Sequence, residues 1–278
     1  MSDGSGPSLV PYRSRQVLSP PSPTGHWFHT TDPRPDAARR LFLFPHAGGS
    51  AASYGRWPAL LPGTDVHTVR LPGRLERPDE EPYRRTRPLV EALREALGDE
   101  LDGRPYGFFG HSFGALLAYR LTVEIERDGG PGPALLGVSG WAPTRFRPVD
   151  ALLTLADAEF TDGIRRFGVL PVEAGREREL LAPVLPALRA DLAVVADYRD
   201  DGARVACPIA AYGGRADPTL EPGGLAEWAA RTPVFLGCCQ FPGGHFYLTD
   251  PAVALAIAGD LTRHLLRRTD DAVPKGER

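Results

Sequence analysis

The chain has 278 residues, 42% hydrophobic and 24% charged, which is the composition of an ordinary globular protein. Its net charge of −3, from 32 basic and 35 acidic residues, offers no basic excess for nucleic acid and no polyelectrolyte tail. Three cysteines are too few for a disulfide framework, and no apolar run approaches the roughly 18 residues that a membrane helix needs.

Residues 1–24 are rich in Ser, Pro and Gly and lack the apolar region of a signal peptide. They predict a flexible leader on a soluble, cytoplasmic protein with reduced thiols. Trp27 to Thr30 predicts a short edge strand, and Arg40 to Phe44 a buried strand ended by Pro45 and a Gly-Gly pair. Tyr54 to Leu61 predicts a short helix, Val66 to Val69 a strand, and the segment up to Pro82 a loop rich in Pro, Gly and Arg. Val90, Leu93, Leu97 and Leu101 share one face of a helix expected over 87–101. Tyr106 to Phe109 is a strand, then a tight turn, then an apolar helix from Ala115 to about Arg127.

Leu135 to Ser139 is a further strand. From Asp150 to Tyr198 strand signals vanish, and the pattern is helical with breaks at Pro171, Pro183 and Pro186. Strands resume at Pro208 to Tyr212 and Val234 to Phe241, the latter expected to bury Cys238 and Cys239. A helix carrying Val253, Leu255, Ile257, Leu261 and Leu265 closes the fold. Alternating strands and helices imply an α/β class with a mostly parallel sheet covered on both faces. The expectation is one domain over 25–268, with a helical insertion at about 145–200 and a flexible tail at 269–278.

Gly110-His111-Ser112-Phe113-Gly114 fits G-x-S-x-G between an apolar strand and an apolar helix. That context matters, because the turn must lift a serine hydroxyl above the sheet at a helix N-terminus. A serine is a weak nucleophile and needs a base. Of the seven histidines, His26 and His29 lie in the leader or edge strand. His67 and His264 lie in regular elements and read as packed or surface residues, and the turn directs His111 away from its neighbour Ser112. His245 sits in a Gly-rich loop after the last strand, where an α/β-hydrolase places its base, in chain order Ser, acid, His. Asp217 follows the strand ending at Tyr212 and is the candidate acid that orients it.

An oxyanion hole needs two backbone N–H groups near Ser112. Phe113, next in the chain, is one candidate, and Ala47, in Phe44-Pro-His-Ala-Gly-Gly-Ser50, is the other. His46 is a candidate brace of that loop and a candidate substrate contact. The adjacent Cys238 and Cys239 have no second Cys/His pair at ligand spacing, so no metal site is expected.

Six segments together carry a family resemblance: FPHAGGSAASY (44–54), RLPGRLERPDEEP (70–82), GHSFGALLAY (110–119), LPALRADL (185–192), YGGRADP (212–218) and GGHFYL (243–248). The chain resembles the type II thioesterases, free-standing α/β-hydrolases that accompany modular polyketide and nonribosomal peptide synthetases. The resemblance implies hydrolysis of acyl thioesters on the phosphopantetheine arm of an acyl or peptidyl carrier protein, through an acyl-serine and without a cofactor. It implies that the insertion is a helical lid whose Phe160, Ile164 and Phe167, with Leu152, Leu153, Leu155, Val169 and Leu170, line an acyl chamber or pack the lid onto the core. Arginines 165, 166, 176, 178 and 189, or 70, 74 and 77, are candidates for docking an acidic carrier protein, or are a solvated face. Since Lys275 is the only lysine, such docking falls to arginine. A carboxylesterase, an acyltransferase and a non-catalytic binding relative remain open as alternatives. Neither nucleic acid nor membrane is an expected partner.

Overall fold

The computed structural model describes residues 27–144, 150–166 and 183–271. The expected leader at 1–24 lies outside the described residues, as do residues 272–278 and parts of the insertion, 145–149 and 167–182. Phe167, Val169, Leu170, Arg176 and Arg178 are among the latter.

The strands are β1 (Phe28–His29), β2 (Arg39–Phe44), β3 (Thr64–Val69), β4 (Tyr106–His111), β5 (Leu135–Ser139), β6 (Ile209–Gly214) and β7 (Phe235–Phe241). They form one sheet in the order β1-β3-β2-β4-β5-β6-β7. β1 pairs antiparallel with β3 at one edge, and the other pairs are parallel. The helices are α1 (Trp57–Leu60), α2 (Thr86–Gly98), α3 (Phe113–Arg127), α4 (Asp150–Leu153), α5 (Asp157–Arg166), α6 (Leu185–Asp197) and α7 (Pro251–Asp271).

Strand alternation divides the core in two. Phe42, Phe44, Phe108, Leu136 and Val138 face one cluster with Leu89 and Leu93 of α2, Leu116 and Leu117 of α3 and Leu188 of α6. Leu41, Leu43, Phe109 and Leu135 face the other, with Trp57 of α1 and Ile257, Leu261 and Leu265 of α7. Because both faces are covered, the central strands read as continuous apolar runs. The insertion is helical over its described residues, and Leu152, Phe160, Ile164 and Leu192 join the first cluster.

Three expectations need correction. Tyr54 to Leu61 is not one helix: a 3-10 turn at Ala51–Tyr54 closes on Gly55, and α1 starts only at Trp57. Cys238 and Cys239 are exposed, because β7 is an edge strand that pairs only with β6 among the described residues. Finally, α7 runs into the expected tail as far as Asp271; the next helix breaker is Pro274.

The loops after β2, β4, β6 and β7 all leave the carboxyl ends of parallel strands. Open α/β sheets place their ligand sites in the crevice there.

Candidate active site

Ser112 connects β4 to α3 with φ 54° and ψ −119°. Among the described residues it is the only non-glycine residue with positive φ. Its N–H donates to Ser139 O at 2.7 Å, which ties the turn to the end of β5. The turn is tight enough to demand glycine on both sides. A methyl group on Gly110 would overlap the Gly114 carbonyl, and one on Gly114 would overlap the Phe44 carbonyl. The helix starts at Phe113, two residues before the expected Ala115, and the N–H groups of Ala115 and Leu116 donate to the Ser112 carbonyl at 2.9 and 3.2 Å.

His245 and Asp217 meet as the sequence predicts. His245 Nδ1 donates to Asp217 Oδ2 at 2.8 Å, with both side chains fully buried. A carboxylate only accepts, so Nδ1 holds the ring proton. The opposite nitrogen, Nε2, is buried and has no hydrogen-bond partner among the described residues. Burial alone would raise the Asp217 pKa, but the hydrogen bonds from His245 and Thr219 outweigh it and hold the carboxyl below its usual range. Thr219 gives Asp217 Oδ1 both its N–H, at 2.9 Å, and its hydroxyl, at 2.6 Å. Its Oγ1 also lies 3.1 Å from His245 Nδ1. Past the histidine loop, Asp250 caps α7 by accepting the N–H of Ala252 at 2.8 Å, with Pro251 starting the helix.

The loop after β2 lies beside this pair. No hydrogen bond engages the N–H of Ala47 or of Phe113 among the described residues, whereas Gly48 N–H donates to Asp191 Oδ2 at 2.7 Å. His46 is half-buried, bonds through Nδ1 to Ala47 O at 3.0 Å and packs its ring on Phe246 with centroids 4.9 Å apart. Burial foremost, with nearby His245 and Arg74, pushes its pKa down to about 4 against the bond to Ala47 O, so the ring is neutral. These contacts make His46 a brace of the loop.

His111 is drawn into the site, against expectation. It is fully buried, and its ring lies against that of His245. The turn directs it away from Ser112 but onto the far partner. Thr219 was legible as the second residue of an Asx turn after Asp217, whereas nothing local marks His111.

Phe160 and Ile164 are 0% and 1% exposed, and Arg189 lies over the Phe160 ring at 3.9 Å, a packing role. Three arginines considered for docking are tied inside the protein. Arg74 is buried against Asp191, and Arg77 is buried against Glu80 and Trp27. Arg189 donates to Leu155 O and Asp157. A guanidinium carries five donors, which suits it to stitching buried carbonyls and carboxylates. Of the others, Arg165 pairs with Asp162 at 3.0 Å.

Residues 39–262 match the thioesterase domain family. The chain is 32% identical over 230 residues to the gramicidin S biosynthesis protein GrsT of Aneurinibacillus migulanus, covering 82% of this chain and 90% of that one. It is 34% identical over 245 residues to the thioesterase PikA5 of Streptomyces venezuelae, covering 87% and 86%. Among solved structures, the type II thioesterase BorB from the borrelidin biosynthetic cluster superposes with a TM-score of 0.78 at 34% identity, covering 86% of this chain and 98% of that one. The chain belongs to the thioesterase family and is a type II thioesterase of the α/β-hydrolase fold, the class that serves polyketide and nonribosomal peptide assembly.

Proposed function

We propose that the protein hydrolyses acyl groups from the phosphopantetheine arm of an acyl or peptidyl carrier protein, through an acyl-serine on Ser112. His245 Nε2 takes the Ser112 proton as Oγ attacks the thioester carbonyl. The oxyanion is held by the N–H groups of Ala47 and Phe113, the latter at the positive end of α3. The pantetheine thiol leaves with the proton from His245. Water, deprotonated by the same nitrogen, then releases the acid. Asp217 keeps the proton on Nδ1 and stabilises the imidazolium.

The observations that support this most are the buried Asp217–His245 bond of 2.8 Å, which leaves Nε2 without a partner among the described residues, and the positive φ of Ser112 in the turn between β4 and α3. The family supports the thioester, and the carrier-bound substrate follows from the pathways named for its relatives. In the test, Ser112→Ala is assayed on a butanoyl carrier protein, on butanoyl-N-acetylcysteamine and on a butanoyl oxoester. Turnover of both thioesters is expected to vanish in the folded variant. The parent is expected to prefer the carrier-bound thioester over the oxoester. Turnover surviving Ser112→Ala sinks the mechanism, and an oxoester preference sinks the substrate class.

A further inference from the structure

We infer that Asp191 is a positioning residue for the oxyanion donor at Ala47, acting through the neighbouring N–H of Gly48. The inference rests on the proposed serine mechanism and on Ala47 as donor. Asp191 lies on α6, 143 residues from Gly48 in the chain, and is 2% exposed. Its Oδ2 accepts Gly48 N–H at 2.7 Å and also the guanidinium of Arg74. Arg74 is itself buried and donates its other terminal nitrogen to Pro72 O at 2.6 Å. Three segments of the family resemblance therefore meet on one carboxylate oxygen: the loop after β2, the Arg-rich loop after β3, and α6.

The peptide unit joining Ala47 to Gly48 is held at both ends. Its oxygen lies 3.0 Å from His46 Nδ1, and its N–H is bonded to Asp191. With that plane held, rotation about the Ala47 Cα–C bond is restrained, which limits the directions open to the unengaged Ala47 N–H in the peptide unit before it. Gly48 N–H cannot compete for the oxyanion because it is already taken. The packing agrees: a methyl group on Gly48 would stand 3.2 Å from Val184 and 3.3 Å from Leu188, so α6 lies directly on the loop.

Stability alone is a poor reason for this arrangement. A buried ion pair gives little net stability over apolar side chains of the same volume. A bare carboxylate near a developing oxyanion would also oppose it, and Arg74 cancels that charge. What remains is an oxygen acceptor fixed in place.

Arg74→Met/Asp191→Leu removes the acceptor and its cation together and leaves no unpaired buried charge. Butanoyl-N-acetylcysteamine serves as substrate. The matching trifluoromethyl ketone, whose hemiketal with serine places an oxyanion in the hole, serves as inhibitor. The folded double variant is expected to lose about tenfold or more in kcat with KM moved less than about threefold, and its inhibition constant is expected to rise in step. Asp191→Asn, which keeps an oxygen acceptor for Gly48, is expected to rescue kcat to within about threefold. A merely structural role would lower the melting temperature without splitting kcat from KM. A folded double variant with kcat and inhibition constant both within about threefold of the parent overturns the inference. So does a folded Asp191→Asn that loses about tenfold. Ser112→Ala run alongside separates the two ideas. Turnover surviving there overturns the serine mechanism, whereas a silent Ser112→Ala with an unimpaired double variant overturns only the positioning role.

Discussion

The rings of His111 and His245 lie 4.8 Å apart, centroid to centroid, and tilted by 42°. They have different partners. His245 Nδ1 is on a carboxylate, whereas His111 Nδ1 is 2.8 Å from the Ser139 hydroxyl, itself 2.6 Å from the Tyr247 hydroxyl. Burial first, then the nearness of His245 and His46, holds the His111 pKa well below its ordinary value, so this ring stays neutral beside the one proposed to become cationic. His111→Leu keeps a wall against His245 but removes one of the two partners of the Ser139 hydroxyl, leaving Tyr247. It is expected to cost about 1–2 kcal/mol of stability, while kcat falls by less than about tenfold. Urea melts and steady-state kinetics of the same preparation check both. A loss of kcat as deep as that of Ser112→Ala would mean that His111 takes part in the chemistry.

Asp217 and Thr219 separate two contributions to the proposed base. In Asp217→Asn the amide offers a donor to His245 and favours the wrong tautomer, so kcat is expected to fall by roughly 10³-fold or more. Thr219→Val removes one hydroxyl bond to Asp217 Oδ1 but leaves the 2.8 Å bond to His245, so a loss of only about threefold to tenfold is expected. The comparison uses kcat/KM on one acyl thioester. Equal losses in the two variants would show that Asp217 does not set the tautomer.

These two residues also mark what the sequence could and could not disclose. Ser112, Asp217 and His245 were legible because each follows a strand end within a few residues, and glycine and proline punctuate those turns visibly. Thr219 lay within reach of the same local reasoning. His111 was set aside correctly as regards Ser112, but its contact with His245 spans over a hundred residues. The bond from Gly48 to Asp191 likewise spans 143 residues, and no periodicity carries that information. Cys238 and Cys239 fail for a different reason. An apolar strand reads the same at the centre or the edge of a sheet, and only the strand order puts β7 at the edge.

Buried neutral histidines make stability depend on pH. His46 is held down at about 4 against an ordinary 6.5, chiefly by burial. His111 moves the same way, well below its ordinary value, and the less buried His29 also moves down. Between the ordinary value of 6.5 and about 4, the unfolded chain binds protons that the folded chain refuses. Stability from the two buried rings, His46 and His111, is therefore fully present above pH 6.5 and is lost as the pH falls, by up to about 1.4 kcal/mol per pH unit for each. Asp217 acts lower, because its depressed pKa releases stability only as the pH falls through that value, below the ordinary 3.8. Asp191, raised by burial against the pull of Arg74, acts in the opposite sense, since there the folded chain holds the extra proton. Urea midpoints measured downward from pH 7.5 are expected to fall steeply in the parent and more gently in His46→Asn/His111→Asn. Parallel slopes would show that neither ring is held neutral.

Ser112 itself carries a cost that its side chain explains. A residue with a Cβ at φ 54° and ψ −119° stores about 1–3 kcal/mol of backbone strain. Glycine relieves that strain at about 0.5–1 kcal/mol of extra chain entropy in the unfolded state. Ser112→Gly is therefore expected to be more stable than the parent by about 1 kcal/mol, a rise of roughly 2–4 °C in Tm for a domain near this size, while losing all hydrolysis. Ser112→Ala keeps the Cβ and so keeps the strain. It is expected to melt close to the parent and to be equally inactive. The pair of variants isolates backbone from chemistry, since both lack the hydroxyl and only one frees the turn. If Ser112→Gly melts no higher than Ser112→Ala, the turn is not strained, and the positive φ at this position is a conformation that serine holds there without penalty.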